Sequence, residues 1–449
     1  MNPRCVVHSS DVDSQVLREL ISRSLPDGTF EQIFIKPNWV KHEEDPRFPI
    51  SALVTARDII DSAVQMCLDK YTSVGKITVG DVPLQTCDWD LLAHQAGIDV
   101  LAEKFGRYKN PLIRFLDLRK EKYDARKGYL LQSRRGEFGD PLGYREVMLD
   151  QSSFLEPISP ETHRFRVSDY SPEDMTVSHR PGYHRYLICG SVLESDLFIN
   201  LPKMKTHQKT GITGALKNLV GINGQKSFLV HFRQGRPSTG GDEFPESISS
   251  LIVLQTRVRD LLQKRSSVAF GALRQIWRVI KSVAGIQTVG TRENLNRKFY
   301  ISAGSWYGNQ TIWRMVYDLN KIILFAAREG GPLTKGQQRA YTAILDGLTA
   351  GEGNGPLQPL RFDAGVIAAS EDPFLLDMSM AHMMGFDYTK IPLLSNYRAF
   401  PNSTDEELNP EMVSISLDDK EVTGISSLPI VHRFAPPPGW RGHIEMEGV

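Results

Sequence analysis

Lysine, histidine, threonine and glycine crowd one stretch of the chain, Leu197 to Gly224, which reads LFINLPKMKTHQKTGITGALKNLVGING. Lys203, Lys205, Lys209 and Lys217 fall within fifteen residues and supply positive charge. Thr210 and Thr213 bring hydroxyls that can donate to an oxyanion, Asn218 adds an amide, and Gly211 and Gly214 let the backbone approach a ligand closely. Such a mixture suits an anion. His207 is the side chain here whose ordinary pKa suits acid or base work near neutral pH. The spacing G-x-x-x-x-G-K-[ST] is absent from the run, so nucleotide hydrolysis by a Walker loop is not expected.

These residues need a strand end and a helix start to hold them. Leu197, Phe198 and Ile199 read as a buried strand, and the chain turns at Pro202. Apolar periodicity at Ala215, Leu216, Leu219 and Val220 predicts a short helix from about Thr213 to Val220, with Gly221 at its C-terminal end. The first amides of such a helix lack internal partners and carry partial positive charge, which places the expected anion over Thr210 to Gly214.

Other polar residues recur at predicted strand ends. Arg4 to His8, Gln32 to Ile35 and Lys76 to Val79 read as strands, with helices over Val16 to Leu25 and Ser51 to Asp69. This alternation predicts an α/β fold: doubly wound, mostly parallel sheets with helices on both faces. Ligands gather beyond the carboxyl ends of such strands. Lys36 and Asn38 follow the second strand and Asp81 the third, where Asp81 is either a ligand or metal group or a helix N-cap.

Downstream, the periodicity degrades from Arg107 to Arg185, suggesting a small antiparallel excursion. Lys226, His231 and Arg233 follow, and His231 and Arg233 join the candidate substrate-binding set. Gly240 and Gly241 are expected to present Asp242 and Glu243 on a loop tip, and Glu352 sits in a glycine-rich stretch, AGEGNGP, read as a loop. Asp81, Asp242, Glu243 and Glu352 are the candidate ligands of a divalent cation, or one of them a general base. Further helices are expected over Thr311 to Arg328 and Pro373 to Met384, the latter capped by Asp372. Strands are expected at Phe299 to Ser302 and Ala364 to Ala369, and the proline-rich tail is read as tracing the surface.

The organisation predicted is two α/β lobes, 1–250 and 299–449, separated by an inserted helical segment over 255–298. In the insert Leu273, Ile276, Trp277, Ile280 and Val283 share one helical face, with Arg274, Arg278 and Lys281 opposite. A basic amphipathic helix across 257–286 suits weak contact with an anionic membrane surface, or packing on its own domain with a solvated basic face.

Lys plus Arg and Asp plus Glu each total 53, so no global field favours nucleic acid, and no base-reading motif appears. Neither a signal peptide nor an apolar run of membrane-spanning length is found, and a cytoplasmic location is expected. Cys5, Cys67, Cys87 and Cys189 form no C-x-x-C and read as packing residues.

The run LPKMKTHQKTGITGALKNLVG resembles the signature of the domain-of-unknown-function 362 family. KPNWV from Lys36, GDVP from Gly80, HFRQGRPSTGGDEFP from His231, DGLTAGEGNGP from Asp346 and EDPFLLDMSMAHMMGFD from Glu371 resemble its other blocks in the same order. The resemblance implies kinship across nearly the whole chain and carries no established reaction. It also implies a ferredoxin-like cysteine cluster in many members; that cluster is missing here, so no iron–sulfur cluster is expected. More remotely, the spacing from His207 through Gly214 to Lys217 is similar to that of nickel-pincer lactate racemases. That similarity implies a cofactor on Lys217 and a metal-binding or proton-moving His207.

Together these readings lead us to expect an enzyme acting on a phosphorylated or carboxylated small molecule. Lys36, Asn38, Lys203, Lys205, Lys217, His231 and Arg233 would hold it, and His207, Lys217 and Asp81 would carry the chemistry, with a divalent metal ion as a possible helper. A non-catalytic metabolite or lipid-headgroup binder is the alternative.

Overall fold

The computed structural model describes residues 5–9, 12–124, 129–132, 138–167, 172–248, 253, 303–401 and 408–447. The segment expected as an insert over 255–298, its helix over 257–286 and the strand over 299–302 lie outside the described residues. One twelve-stranded sheet runs through the molecule. In chain order its strands are β1 (Cys5–His8), β2 (Gln32–Pro37), β3 (Lys76–Asp81), β4 (Leu112–Asp117), β5 (Leu197–Leu201), β6 (Lys203–His207), β7 (Ala340–Asn354), β8 (Gln358–Phe362), β9 (Val366–Ser370), β10 (Ser414–Leu417) and β11 (Lys420–Thr423), with a two-residue strand at Gly211–Ile212. Their main order is β11-β10-β1-β9-β7-β5-β2-β3-β4. The block β7-β5-β2-β3-β4 is entirely parallel. Antiparallel joints appear outside it, at β7 with β9 and β9 with β1. Strands from before residue 250 and after 299 therefore lie side by side in one sheet.

Side chains on a strand alternate between faces, and the sequence exploits this. Ile33 and Ile35 of β2 enter one core and Phe34 the other; Leu197 and Ile199 of β5 likewise separate from Phe198. Helices α1 (Ser14–Ser24) and α2 (Arg57–Lys70) cover the first face through Leu17, Leu20, Ile21, Ile59, Ile60 and Val64. Helices α3 (Gly214–Asn218), α4 (Ile312–Phe325) and α5 (Pro373–Met383) contribute Leu216, Met315, Leu319 and Met378 to the second. In-register neighbours on that face stack: Phe34 on Phe198 at 5.6 Å and Phe198 on Tyr341 at 6.1 Å between ring centroids. The fold is α/β with helices on both faces, as the alternation predicts.

Local expectations are corrected in four places. The single helix expected over Ser51 to Asp69 is two, Ile50–Leu53 and Arg57–Lys70. It breaks where Thr55 spends its hydroxyl on Leu201 O (2.7 Å) and accepts from Asn38 N. The turn expected at Pro202 leads straight into strand β6, which pairs with β7 after β5 has ended. Pro202 breaks the ladder because it has no N–H to donate. The glycine-rich AGEGNGP belongs mostly to β7, flanked by β6 and β8. Its glycines make room between closely packed strands: a side-chain carbon at Gly351 would stand 2.7 Å from Pro359 Cβ. Finally, the tail is docked. Trp440 is buried and donates its indole N–H to Gln208 O (2.7 Å).

The excursion at 107–185 leads into an antiparallel pair of Tyr144–Met148 with Tyr183–Cys189. Of residues 249–302 only Val253 is described. On either side of that segment, Gly304 N donates to Glu243 O (3.0 Å) and the Trp306 indole to Asp242 O (2.9 Å), so departure and return are adjacent. Among the described residues no helix is long and apolar enough to cross a membrane. All four cysteines are free and buried, and burial pushes the Cys5 thiol up to about 12 and Cys87 to about 11.

Candidate functional site

At the carboxyl ends of β2, β3 and β5 a polar network is buried beneath α3. Lys36 is fully buried, with Nζ 2.8 Å from Asp81 Oδ1. Asp81 also accepts from Trp39 N and Val82 N, each at 2.7 Å. Burial pushes the Lys36 amine down, and Asp81 opposes that push. Asn218 sits at the centre: its Oδ1 accepts from Asn38 (2.8 Å) and Lys36 (3.4 Å), and its amide donates to Asn200 (2.7 Å). Lys205 donates to Asn38 Oδ1 (2.7 Å) and Leu53 O (2.5 Å). Both acceptors are neutral, and a neutral amine has the two N–H bonds they require. Burial, then Lys203, holds the Lys205 amine well below its usual range. Lys203 itself is sealed against Asp346 at 2.7 Å, both side chains fully buried. Four expected anion contacts, Lys36, Asn38, Lys203 and Lys205, are thus engaged with the protein's own groups.

The helix N-terminus is also occupied. Helix α3 is only five residues long, and Asp377 of α5 accepts from its leading amides, Ala215 N at 2.5 Å and Leu216 N at 2.9 Å. This overturns the expectation that those amides hold a ligand: the chain supplies its own anion. Gly214 adopts φ +58°, and a side-chain carbon there would stand 2.2 Å from Asp377 Oδ1. Burial pushes the Asp377 carboxyl up to about 7. Gly211 backs onto the Trp440 ring, and Thr210 donates its hydroxyl to Ile212 O (2.8 Å). Gly221 is no helix-ending glycine. It packs on the Lys36–Asp81 pair, where a side-chain carbon would meet Asp81 Oδ1 at 1.9 Å.

What remains uncommitted lies around the far end of α3. Lys217 is 7% exposed, and among the described residues its amine makes neither a hydrogen bond nor an ion pair. Burial, then the charges of Lys226 and Lys209, bring its amine down to about 7. Lys226, equally buried, donates to Val220 O (3.2 Å), and burial above all lowers it to about 8. Thr213 Oγ1 is buried without a hydrogen-bond partner among the described residues. Lys209 donates to Ala303 O (2.6 Å) and lies over the Phe232 ring.

Two histidines complete this cluster, and the backbone fixes their tautomers. His207 Nδ1 accepts from Lys209 N (3.0 Å), so its proton is on Nε2. His231 Nδ1 lies 2.7 Å from Leu229 O, a carbonyl that can only accept, so its proton is on Nδ1 and Nε2 keeps a lone pair. Burial and then nearby lysines, Lys217 first for His207 and Lys209 first for His231, hold both well below the usual histidine range. Neutral near pH 7, one ring offers an N–H and the other a base.

The expected carboxylate shell is not assembled. Asp242 and Glu243 are 1% and 2% exposed, inside the turn and not on its tip. Asp242 accepts from Arg233 N (2.6 Å) and Thr311 Oγ1 (2.6 Å) and lies 3.5 Å from the Arg233 guanidinium, which diverts Arg233 from a substrate role. Glu243 accepts from Gly235 N (3.3 Å). Glu352, on a strand, accepts from Ala435 N (2.9 Å) and lies 3.5 Å from His432. Among the described residues no group of three His, Cys, Asp or Glu side chains has the geometry to hold a metal ion. Two residues that shape the site escaped the sequence reading: Asp346 and Asp377. Each is a lone acid in an apolar run, AILD and PFLLDM, and that is the signal that marks them.

A family model described as Domain of unknown function (DUF362) matches residues 152–382. No curated protein matches. Among solved structures, the chain is similar to the crystal structure of a protein from Thermotoga maritima, at 12% identity and a TM-score of 0.27, over 47% of this chain and 39% of that one. The chain thus spans about two fifths of the length of the solved structure it matches. None of these comparisons supports the similarity to nickel-pincer lactate racemases.

Proposed function

The chain belongs to the domain-of-unknown-function 362 family, a kinship that brings no reaction with it, and from that premise we propose an enzyme that binds a phosphorylated or carboxylated small molecule over Lys217 and Lys226 and moves a proton on it with His207 and His231. One observation carries this reading: two buried lysines without a carboxylate partner stand beside two neutral histidines of opposite tautomer. A buried cation left unpaired costs several kcal/mol. An anionic ligand held by Lys226 offsets that cost and keeps its amine protonated. The donor at His207 Nε2 and the base at His231 Nε2 then suit removal of a proton from one atom while a neighbouring oxygen is stabilised. A cytoplasmic setting belongs to the same proposal. A divalent cation does not, because Asp81, Asp242, Glu243 and Glu352 are spent separately.

Calorimetry with inorganic phosphate and malonate tests the binding half. Both are expected to bind, with affinity at least tenfold weaker in Lys226→Met; equal affinity in the variant removes the site from consideration. Proton exchange from bound carboxylates in deuterated water tests the catalytic half. If binding persists without exchange into any carboxylate, the protein is a metabolite binder and not an enzyme.

A further inference from the structure

We propose that Lys217 is a covalent nucleophile: its amine adds to the carbonyl carbon of an anionic oxo compound, a 2-oxo acid or a phosphorylated ketone, and the reaction proceeds through the resulting iminium. The inference rests on the anion-binding reading above and names the substrate class for the same site.

The argument begins with what separates Lys217 from the other buried lysines. Lys36 and Lys203 are paired with the carboxylates of Asp81 and Asp346. Lys205 directs both N–H bonds of a neutral amine at Asn38 and Leu53. Lys226 donates to Val220 O, and Lys321 to Ser152 O. Among the described residues Lys217 is the one buried lysine that makes no hydrogen bond and no ion pair. An ammonium has no lone pair and cannot attack; an amine kept neutral by an apolar setting and a neighbouring cation can. Lys217 has both influences, burial first and Lys226 second. Its helix is held in place from the other end by Asp377, which fixes where the amine is presented.

The two lysines divide the work by their protonation. Burial and the Lys226 charge lower Lys217, while Asp81 holds Lys226 up against the same burial, so Lys217 gives up its proton more readily than Lys226. In that state the Lys226 cation holds the carboxylate or phosphate and the Lys217 amine meets the carbonyl carbon. As the C–N bond forms, His231 Nε2 takes one proton from nitrogen and passes it to the former carbonyl oxygen, which the His207 N–H stabilises. Nitrogen's lone pair then forms C=N as the C–O bond breaks, and the oxygen leaves as water with a proton that His231, which is not fully buried, draws from solvent. No oxidant or reductant is consumed.

Borohydride trapping tests this directly. The full chain is incubated at pH 7.5 with pyruvate, 2-oxoglutarate or dihydroxyacetone phosphate, reduced with sodium cyanoborohydride, and read by intact mass and peptide mapping. The expected result is one adduct per chain on Lys217 with at least one of the three, suppressed at least fivefold by excess inorganic phosphate. Binding of these probes by calorimetry with no adduct at Lys217, or adducts scattered over surface lysines, overturns the covalent role and leaves anion binding standing. Failure of the probes and of phosphate to bind removes the anion-binding reading itself. Lys217→Arg should abolish the adduct. Lys226→Met gives an independent check: losing the like charge should move the pH midpoint of trapping at Lys217 upward by at least half a unit, and an unmoved midpoint counts against the proposal.

Discussion

Gly214 and Asp377 are fitted to one another: the glycine adopts φ +58° with its Cα against the carboxylate, and the carboxylate accepts from the two amides that follow. Gly214→Ala therefore meets both an unfavourable backbone region and a steric clash. We expect a loss of roughly 3 kcal/mol in urea unfolding, combining backbone strain and a damaged cap. In the double variant with Asp377→Ala the losses should be clearly less than additive; simple addition would show the two residues to be independent.

Asp377 also sets a pH dependence. Its carboxyl is raised to about 7, so between about pH 4 and 7 the folded protein keeps a proton that the unfolded chain has released. Its contribution to stability should therefore fall as pH rises through that window. Asp377→Asn should flatten that limb of the stability profile measured by thermal melting, and an unaltered limb would show that another group is responsible.

Lys36 and Asp81 form a buried pair closed over by Gly221. Removing one partner strands the other charge. Asp81→Asn or Lys36→Met is each expected to cost about 3 to 5 kcal/mol, while Lys36→Met with Asp81→Leu should recover most of it. Denaturant midpoints of the three variants decide between this and a direct catalytic role for Asp81, for which stability would be nearly unchanged.

Anion affinity should fall above about pH 8. Binding favours protonated Lys226, lowered to about 8, so each unit of pH beyond that value removes up to tenfold. Calorimetry with phosphate from pH 6.5 to 9 reads the slope directly. A flat profile would place the bound anion elsewhere.

The histidines should act on catalysis more than on binding. His231→Gln removes the base, and proton exchange into a bound carboxylate should drop by about 10²-fold or more with affinity within about threefold. Equal loss of exchange and affinity would make His231 a ligand contact and nothing more.

Much of this was legible in the sequence. Apolar runs in QIFI and LFIN marked buried strands, and Lys205 and Asn218 of one run do meet Asn38 and Lys36. What was not legible is which groups would already be matched. Buried positive charge reads the same along the chain whether its partner is a substrate or a distant carboxylate, and Asp346 and Asp377 lie more than a hundred residues away from Lys203 and Ala215. Glycine was misread for the same reason. Gly221 and Gly351 serve close approach between segments remote in sequence, which local turn rules cannot register.

The hydrogen bond from Gly304 N to Glu243 O, with the Trp306 indole on Asp242 O beside it, holds against one another two stretches that lie far apart along the chain. Because closure entropy grows only with the logarithm of length, halving the number of residues between two such anchors changes the cost of closing them by about 0.6 kcal/mol. The neighbourhood of the two anchors is therefore nearly indifferent, in free energy, to how much chain joins them.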